Sequence, residues 1–370
     1  MFPFHRTALA LAAALTAFAL VLLLTIPTPA ATLALQTLPA GQGHTVSFPA
    51  DTAAHLDTGT EWWYFVGHLS DESGHTYGFE VTFFRFAGLR RYFPGSPVDT
   101  AYRTDVAITD EAAHCFHEGV GYAAASAQAT ASATQVQLRA ATVNVSTVGP
   151  LSYHIHGGTS DGSLVDLTVA SRRAPMLVHG GYTGWGSGYT YYYSLTHMTA
   201  TGTLTIGGRR IAVRGIAWND HQWGNMQQSN VIGWQWMALQ LSDGADVSLV
   251  NERPYTSIDN DWAQALLPDG RQVYTPRAVI TVLDHWRSPA THTVYPSLWR
   301  VQVPALQLDV IARPTIHDQE VIDRFAVNGW LFSYWEGSCT ITGTRAGHPV
   351  TGKAYVELTG YGAPPTIPQL

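Results

Sequence analysis

The strongest constraint on the fold is a succession of short apolar segments that are separated by turns rich in glycine, aspartate and asparagine. From His44 onward these segments follow one another at nearly regular spacing, and long amphipathic helical periods are scarce. Residues 61–69 and 77–86 flank the turn-forming residues 70–74, and the side chains of residues 77–86 alternate between two faces. Many short strands with few helices indicate barrels or sandwiches, so the sequence predicts an all-β fold.

Four further segment pairs have the same strand–turn–strand pattern. They are residues 151–156 with 164–170, 200–206 with 211–217, 234–241 with 247–251, and 337–344 with 350–358. The alanine- and serine-rich residues 123–133 form either a helix or a mobile loop in this interpretation.

The length of the chain predicts two domains. A domain with one hydrophobic core typically has about 150 residues, and a chain of 370 residues is long enough for two such domains. Residues 224–233 are polar and poor in strand signals, which places the predicted N-terminal domain at residues 44–223 and the C-terminal domain at 224–370. Only 13% of the residues are charged, which favours a compact chain over a disordered one.

The N-terminus has the plan of an export signal. His5 and Arg6 precede an apolar run over residues 7–26, and small residues follow near position 30. The run is also long enough to span a bilayer. We therefore expect residues 1–31 to be either a cleaved signal peptide or a membrane anchor, and both place the body of the protein outside the cytoplasm.

The charge distribution argues against a nucleic-acid partner. The formal net charge is −7, Lys353 is the single lysine, and the arginines are scattered. A chain without a basic stripe cannot neutralise a run of phosphates, so we expect no binding of nucleic acid.

Two cysteines, Cys115 and Cys339, leave two interpretations open. In an exported protein they could form one disulfide between distant segments, or both could be buried free thiols.

The densest group of chemically useful side chains lies at residues 218–224. Asp220 and His221 are adjacent, so they point to opposite faces of a regular strand unless a bulge brings them together. A histidine here could act as a general acid or base near neutral pH. Alternatively, Asp220 and His221 bond the backbone at a domain joint, and Trp218 and Trp223 are core residues.

Glu61 precedes the large aromatic residues Trp62, Trp63 and Tyr64. A carboxyl group among apolar rings loses hydration, which would raise its pKa and keep it protonated near pH 7. The structural alternative is a buried ion pair between Glu61 and an arginine, either Arg85 or Arg103.

Other patterns give weaker indications. Tyr192 lies in a tyrosine-rich segment and either lines a cavity or packs in the core. His154 and His156 share one strand face, but a zinc site needs about three protein ligands, so we predict no metal site. Residues 158–162 match the Gly-x-Ser-x-Gly pattern of hydrolases, but strand-like residues follow, which indicates a hairpin turn. No phosphate-binding or dinucleotide-binding motif is present, and no cofactor is predicted.

Several segments together resemble the AttH-like and carotenoid 1,2-hydratase superfamily, some members of which are described as predicted secreted hydrolases. The segments are residues 61–65, 77–85, 177–180, 191–196, 218–224, 334–337 and 355–361, and their order and spacing match from about position 44 to 362. The resemblance implies two tandem lipocalin-like antiparallel β-barrel domains, apolar ligands and, for the hydratases, cofactor-free addition of water to a carbon–carbon double bond.

The resemblance also indicates where this chain departs from the hydratases. Their His-x-Trp motif maps onto His221 and Trp223. The hydratases also use a downstream tyrosine and aspartate. The matching residues 247–251 of this chain contain neither, and Asp246 and Tyr255 lie nearby at positions that do not match the pattern. This departure weakens the expectation of carotenoid hydration itself and leaves the expected fold and pocket intact.

The resulting hypothesis is acid–base hydration of a small apolar, isoprenoid- or polyene-like substrate. The predicted catalytic residues are Asp220, His221 and Glu61, with Asp220 or Glu61 as the acid and His221 orienting Asp220 or taking a proton from water. The predicted substrate-binding residues are Trp63, Trp218, Trp223, Tyr192 and Trp236. The alternatives are a non-catalytic carrier of a hydrophobic ligand and a secreted hydrolase.

Overall fold

The computed structural model describes residues 43–92, 95–185, 188–226, 231–254, 260–324 and 333–362. Within these ranges the chain forms two curled antiparallel sheets, which we call the N-terminal and the C-terminal sheet. The all-β fold with two lipocalin-like β domains is therefore confirmed. The predicted export segment, residues 1–31, lies outside the described residues.

The N-terminal sheet follows the chain in strands joined mostly by short turns. Its order is β4-β3-β2-β1-β12-β11-β9-β8-β7-β6-β5, with β10 paired to β11. The strands are β1 (Thr60–Ser70), β2 (Thr76–Ala87), β3 (Thr100–Asp110), β4 (Cys115–Ala124), β5 (Thr130–Ala131), β6 (Gln137–Ala140), β7 (Val143–Gly149), β8 (Ser152–Gly158), β9 (Leu164–Ser171), β10 (Met176–Trp185), β11 (Gly188–Ile206) and β12 (Arg209–Asn225).

The C-terminal sheet has the order β16-β15-β14-β13-β22-β21-β19-β18-β17, with β20 paired to β21. Its strands are β13 (Val231–Leu241), β14 (Asp246–Pro254), β15 (Asn260–Leu266), β16 (Gln272–Thr275), β17 (Val279–Arg287), β18 (Val294–Val303), β19 (Leu308–Pro314), β20 (Glu320–Val321), β21 (Tyr334–Arg345) and β22 (His348–Leu358). All five predicted strand pairs form the expected antiparallel neighbours.

Helical structure in the described residues is limited to single turns. They are two 3-10 turns, Ala50–Thr52 and Pro304–Leu306, and a short helix, Leu89–Tyr92. None of the helices in this part of the chain is long and apolar enough to cross a membrane. The prediction of a helix or mobile loop at residues 123–133 was wrong, because these residues complete β4, turn, and form β5. Residues 159–163 form the turn between β8 and β9 as expected, and Ser160 is exposed.

Each sheet curls around its own apolar core. The concave side of the N-terminal sheet buries aromatic residues such as Phe65, Phe79 and Trp223, and that of the C-terminal sheet buries Trp299 and Trp335. The largest of these side chains are almost completely excluded from solvent. Burial of this apolar area is the main favourable contribution to the folding of each sheet.

The outer faces of the two sheets pack against each other and bury a third apolar cluster. It includes Tyr64 and Val66 on β1, Trp218 on β12 and Trp236 on β13. Consequently β1, β2 and β12 are buried on both faces, which is unusual for antiparallel strands, since these commonly expose one face. Side chains that point away from the N-terminal core therefore reach the contact between the sheets rather than solvent.

The cysteines do not pair. Both are free thiols, so the disulfide interpretation was wrong. Cys339 is buried as the alternative required, whereas Cys115 is exposed at the start of β4.

Candidate active site between the two sheets

A cavity of about 210 Å³ lies between the outer faces of the two sheets. An engineered apolar cavity of about 150 Å³ accepts benzene, so this one has room for a single ring or a short branched alkene. Its wall consists of aromatic rings interrupted by carboxyl groups. The lining residues are Trp62, Tyr64, Glu80, Phe84, His179, Thr183, Gly184, Tyr192, Asp220, Gln222, Trp234, Trp236, Val250, Glu252, Trp262, Tyr334 and Glu357.

Asp220 on β12 is held by hydrogen bonds on both carboxylate oxygens. The Trp218 indole N–H donates to Oδ1 over 2.6 Å, and the Tyr192 hydroxyl donates to Oδ2. The Trp236 indole N–H in turn donates to the Tyr192 hydroxyl over 3.2 Å, which links the two sheets. Burial raises the pKa of Asp220 to about 6, although the hydrogen bonds that it accepts oppose the increase.

Glu357 on β22 faces the same cavity from the C-terminal sheet. Burial raises its pKa to about 7, a hydrogen bond from Trp234 opposes the increase, and the nearby Asp220 adds to it. Both carboxyl groups therefore keep their protons to a higher pH than an exposed carboxyl group does, and the pKa of Glu357 is raised further than that of Asp220. Pairs of carboxyl groups with different pKa values are how acid and base roles are divided in many active sites.

Glu80 on β2 forms a third buried acid at the cavity. Its Oε1 accepts hydrogen bonds from Thr82 and from Tyr334, each over 2.7 Å. Its Oε2 is buried without a hydrogen-bond partner among the described residues. Burial, together with the charge of Asp105, raises the pKa of Glu80 to about 8. Behind the wall, burial also raises the pKa of Glu336, which accepts a hydrogen bond from Tyr64 over 2.6 Å.

A separate polar cluster lies on the other face of β1 and β12, inside the N-terminal core. Glu61 Oε1 is 3.0 Å from His221 Nε2 and 2.8 Å from His55 Nδ1. Arg85 lies 3.5 Å from Oε2, and Asp51 contacts His55 on its other ring nitrogen over 3.2 Å. Burial alone would raise the pKa of Glu61, but the hydrogen bonds from the two histidines outweigh it, so the pKa is lowered.

Three side chains of this core cluster have the donor types of a metal site. The ligand atoms of His55, Glu61 and His221 lie within 4.8 Å of one another. These ligand atoms already take part in hydrogen bonds. In addition to the two histidine contacts, Glu61 accepts the backbone N–H of His55 over 3.0 Å, and the Tyr193 hydroxyl contacts the second ring nitrogen of His221 over 3.2 Å. The cluster is therefore complete as a network of ion pairs and hydrogen bonds.

Comparison with known proteins identifies the family. The AttH-like family model matches residues 39–361. This chain belongs to the AttH-like family. No curated protein gives a significant sequence match. Among solved structures, an AttH candidate from Nitrosomonas europaea is 28% identical, with a TM-score of 0.76 over 88% of this chain and 100% of that one.

A second solved structure with the same fold is kievitone hydratase from Nectria haematococca. It is 18% identical to this AttH-like chain, with a TM-score of 0.68 over 88% of this chain and 95% of that one. The family model confirms the predicted AttH-like membership, and the second structure shows the same fold.

The structure divides the predicted site residues of this AttH-like protein into two groups. Asp220, Tyr192 and Trp236 line the cavity, and Trp218 supports Asp220 from behind. Glu61, His221, Trp63 and Trp223 lie in the N-terminal core and are not among the lining residues.

The division follows from strand geometry. Pairing of β1 with β12 continues without a bulge from Thr60↔Gly224 to Ser70↔Arg214, so adjacent residues keep pointing to opposite faces. The hypothesis that His221 orients Asp220 through a direct contact of their side chains is therefore wrong. The expectation of a raised pKa for Glu61 was also wrong, because Glu61 pairs with Arg85 and two histidines, while Arg103 pairs with Asp105.

Sequence reasoning missed Glu80, Tyr334 and Glu357 as site residues. The available signal was a glutamate within an otherwise apolar strand of a chain with few charges. Glu80 lies between Phe79 and Val81, and Glu357 lies between Val356 and Leu358. Alternation alone places such residues on a solvent face, and only the packing of the second sheet buries them.

Proposed function

We propose that this AttH-like protein adds water to a carbon–carbon double bond of a small apolar, isoprenoid-like molecule bound between the sheets. The supporting observation is a cavity walled by indole rings that holds one carboxyl group with a pKa of about 7 and another with a pKa of about 6. General acids and bases work best when their pKa lies close to the working pH.

Glu357 is the proposed acid. Its carboxyl proton passes to one alkene carbon, the π electrons form the new C–H bond, and a tertiary cation remains at the other carbon. The faces of Trp62, Trp234 and Trp236 stabilise this cation by roughly 0.5–2 kcal/mol per ring. Water then attacks the cation, and the ionised Asp220 takes the proton that the attacking water releases.

The cycle closes when one proton returns from Asp220 to Glu357, either directly or through solvent. The sum is one alkene and one water consumed and one alcohol formed, with no oxidant and no leaving group. Tyr192 and Trp218 keep the Asp220 carboxylate in place during these steps, because each donates a hydrogen bond to one of its oxygens.

The name of one fold neighbour, kievitone hydratase, makes water addition the first reaction to test. The carrier alternative shares the same cavity and differs only in the absence of turnover. For the hydrolase alternative, no serine or cysteine nucleophile is found among the cavity-lining residues that the structure describes.

The experiment is incubation of the purified protein with a panel of prenylated phenols and short terpenes in water enriched in oxygen-18. We expect an alcohol that carries one labelled oxygen, detected by mass spectrometry. Glu357→Gln and Asp220→Asn should abolish its formation while apolar ligands still quench tryptophan fluorescence. Glu72→Gln, a substitution at an exposed carboxyl group, is the matched control and should leave the rate unchanged. Binding of the panel without labelled product would favour the carrier.

We also propose that residues 1–31 export the protein. The support is the basic start and the apolar run that the sequence contains. The N-terminal mass of the mature protein from its native host would separate a cleaved signal from a retained anchor.

A further inference from the structure

We propose that the cavity between the sheets selectively binds small organic cations, of the size of a phenyl ring bearing a quaternary ammonium group. The inference goes beyond the proposed function, because it concerns the resting cavity and requires no turnover. It stands on the combination of an aromatic cage with several carboxyl groups and no arginine or lysine among the lining residues that the structure describes.

The aromatic part of the cage comes from both sheets. Trp62 and Phe84 project from β1 and β2 with ring centroids 6.3 Å apart, and Trp236 and Trp262 project from β13 and β15. The rings of Tyr64 and Trp236 make an edge-to-face contact, with their planes at 88° and their centroids 5.2 Å apart. Ring faces around a cavity attract a cation through their quadrupoles, and this is the means by which proteins recognise quaternary ammonium ligands.

The carboxyl part of the cage consists of Glu80, Asp220 and Glu357 on three different strands. No arginine or lysine is among the cavity-lining residues that the structure describes. Oε2 of the fully buried Glu80 has no hydrogen-bond partner among the described residues, so this oxygen remains available for an electrostatic contact with a bound cation. Burial lowers the pKa of His179, the one histidine in the wall, which keeps that side chain neutral at pH 7.

The arginine that Tyr334 and Asp105 connect to Glu80 is already engaged. Arg103 pairs with Asp105 over 2.9 Å and lies 3.9 Å from Asp323, so its charge is compensated behind Tyr334. Ionisation of the buried Glu80 carboxyl group is costly unless a positive charge pairs with it. A bound cation would supply that partner, whereas a carboxylate ligand such as a fatty acid would meet like charges.

The test compares three ligands of similar size and different charge. They are phenyltrimethylammonium, its uncharged isostere tert-butylbenzene, and benzoate, each titrated into the full-length protein at pH 8 with tryptophan fluorescence as the signal. We expect the cation to bind at least ten-fold more tightly than the uncharged isostere, and benzoate not to bind measurably. Equal affinities for the cation and its isostere, or tighter binding of benzoate, would overturn the inference.

The same titration of Glu80→Gln identifies the origin of the preference. The variant should lose about ten-fold in affinity for the cation and retain its affinity for tert-butylbenzene, while Glu72→Gln should behave like the unmodified protein. An unchanged preference for the cation in Glu80→Gln, Glu357→Gln and Asp220→Asn alike would also overturn the inference. The outcome is separable from the hydration assay, because cation selectivity without labelled alcohol contradicts only the proposed reaction, and labelled alcohol without cation selectivity contradicts only this inference.

Discussion

The buried acid Glu80 should make the protein less stable as the pH rises, and Glu80→Gln should remove this dependence. The pKa of Glu80 is about 8 in the folded protein and 4.5 in its ordinary state. An acid whose pKa is raised by folding binds its proton more tightly in the folded state. The folded state is therefore penalised progressively between pH 4.5 and pH 8, and the penalty is complete above pH 8.

The size of the effect follows from the difference between these two pKa values. Each pKa unit corresponds to about 1.4 kcal/mol, so the penalty above pH 8 is on the order of 5 kcal/mol, and Asp105 shares part of it. Glutamine keeps an oxygen that can accept the hydrogen bonds of Thr82 and Tyr334, and its amide nitrogen replaces the oxygen that has no partner. We therefore expect Glu80→Gln to be as stable as the unmodified protein near pH 4.5 and several kcal/mol more stable at pH 8.

Urea denaturation of both proteins between pH 4.5 and pH 8.5, followed by tryptophan fluorescence, measures this difference. Subtracting the two free energies of unfolding at each pH cancels the titration of the other groups that both proteins share. A difference that stays constant with pH, or a variant that becomes relatively less stable as the pH rises, would refute the reasoning. Glu72→Gln should show no pH-dependent difference.

Three further predictions test other parts of the structure. Glu61→Gln should lower the free energy of unfolding by about 3–5 kcal/mol in chemical denaturation, because it leaves the buried Arg85 without its charge partner; a loss below about 1 kcal/mol would contradict the ion-pair network. A thiol reagent should modify one cysteine in the native protein and two in denaturant, since Cys115 is exposed and Cys339 is buried, and modification of both in the native state would contradict the fold. Gly215→Ala should prevent regular pairing of β12 with β1 and lower the thermal midpoint, because a Cβ there would lie 1.9 Å from the carbonyl oxygen of His68; an unchanged midpoint would show that this register is wrong.

The hairpins could be predicted from the sequence because their signals are local. Residues 61–69 and 77–86 alternate around a turn, and the structure places them in β1 and β2. The burial of both faces could not be predicted in the same way. Glu80 and Thr82 alternate with apolar neighbours as a solvent face would, and the side chain that buries Glu80 belongs to Tyr334, which is 254 residues away.

Only part of the candidate site could be predicted, because the sequence signals for site residues are also local. Asp220, Tyr192 and Trp236 were found because unusual residues cluster along the chain near them, and the structure brings these three together. Glu357 lies in a strand of the other sheet, and no sequence spacing connects it to Asp220. The sequence also does not determine which face of β12 lines the cavity. Alternation assigns residues to two faces, but it does not show what each face packs against.

The position of β12 gives His221 a role that does not require contact with substrate. Asp220 points toward the cavity, and His221, the next residue, points into the core, where it stacks against Trp63 with ring centroids 4.5 Å apart. The hydrogen bond from His221 to Glu61 therefore fixes the same strand segment that presents Asp220 to a ligand. Substitution of His221 should reduce hydration through displacement of Asp220, and the loss should appear together with reduced stability. Asp220→Asn should abolish hydration and lose only the stability that one of the two accepted hydrogen bonds provides. Measured together, the two variants distinguish a residue that positions the acid–base pair from one that belongs to it, which activity data on His221 alone would not do.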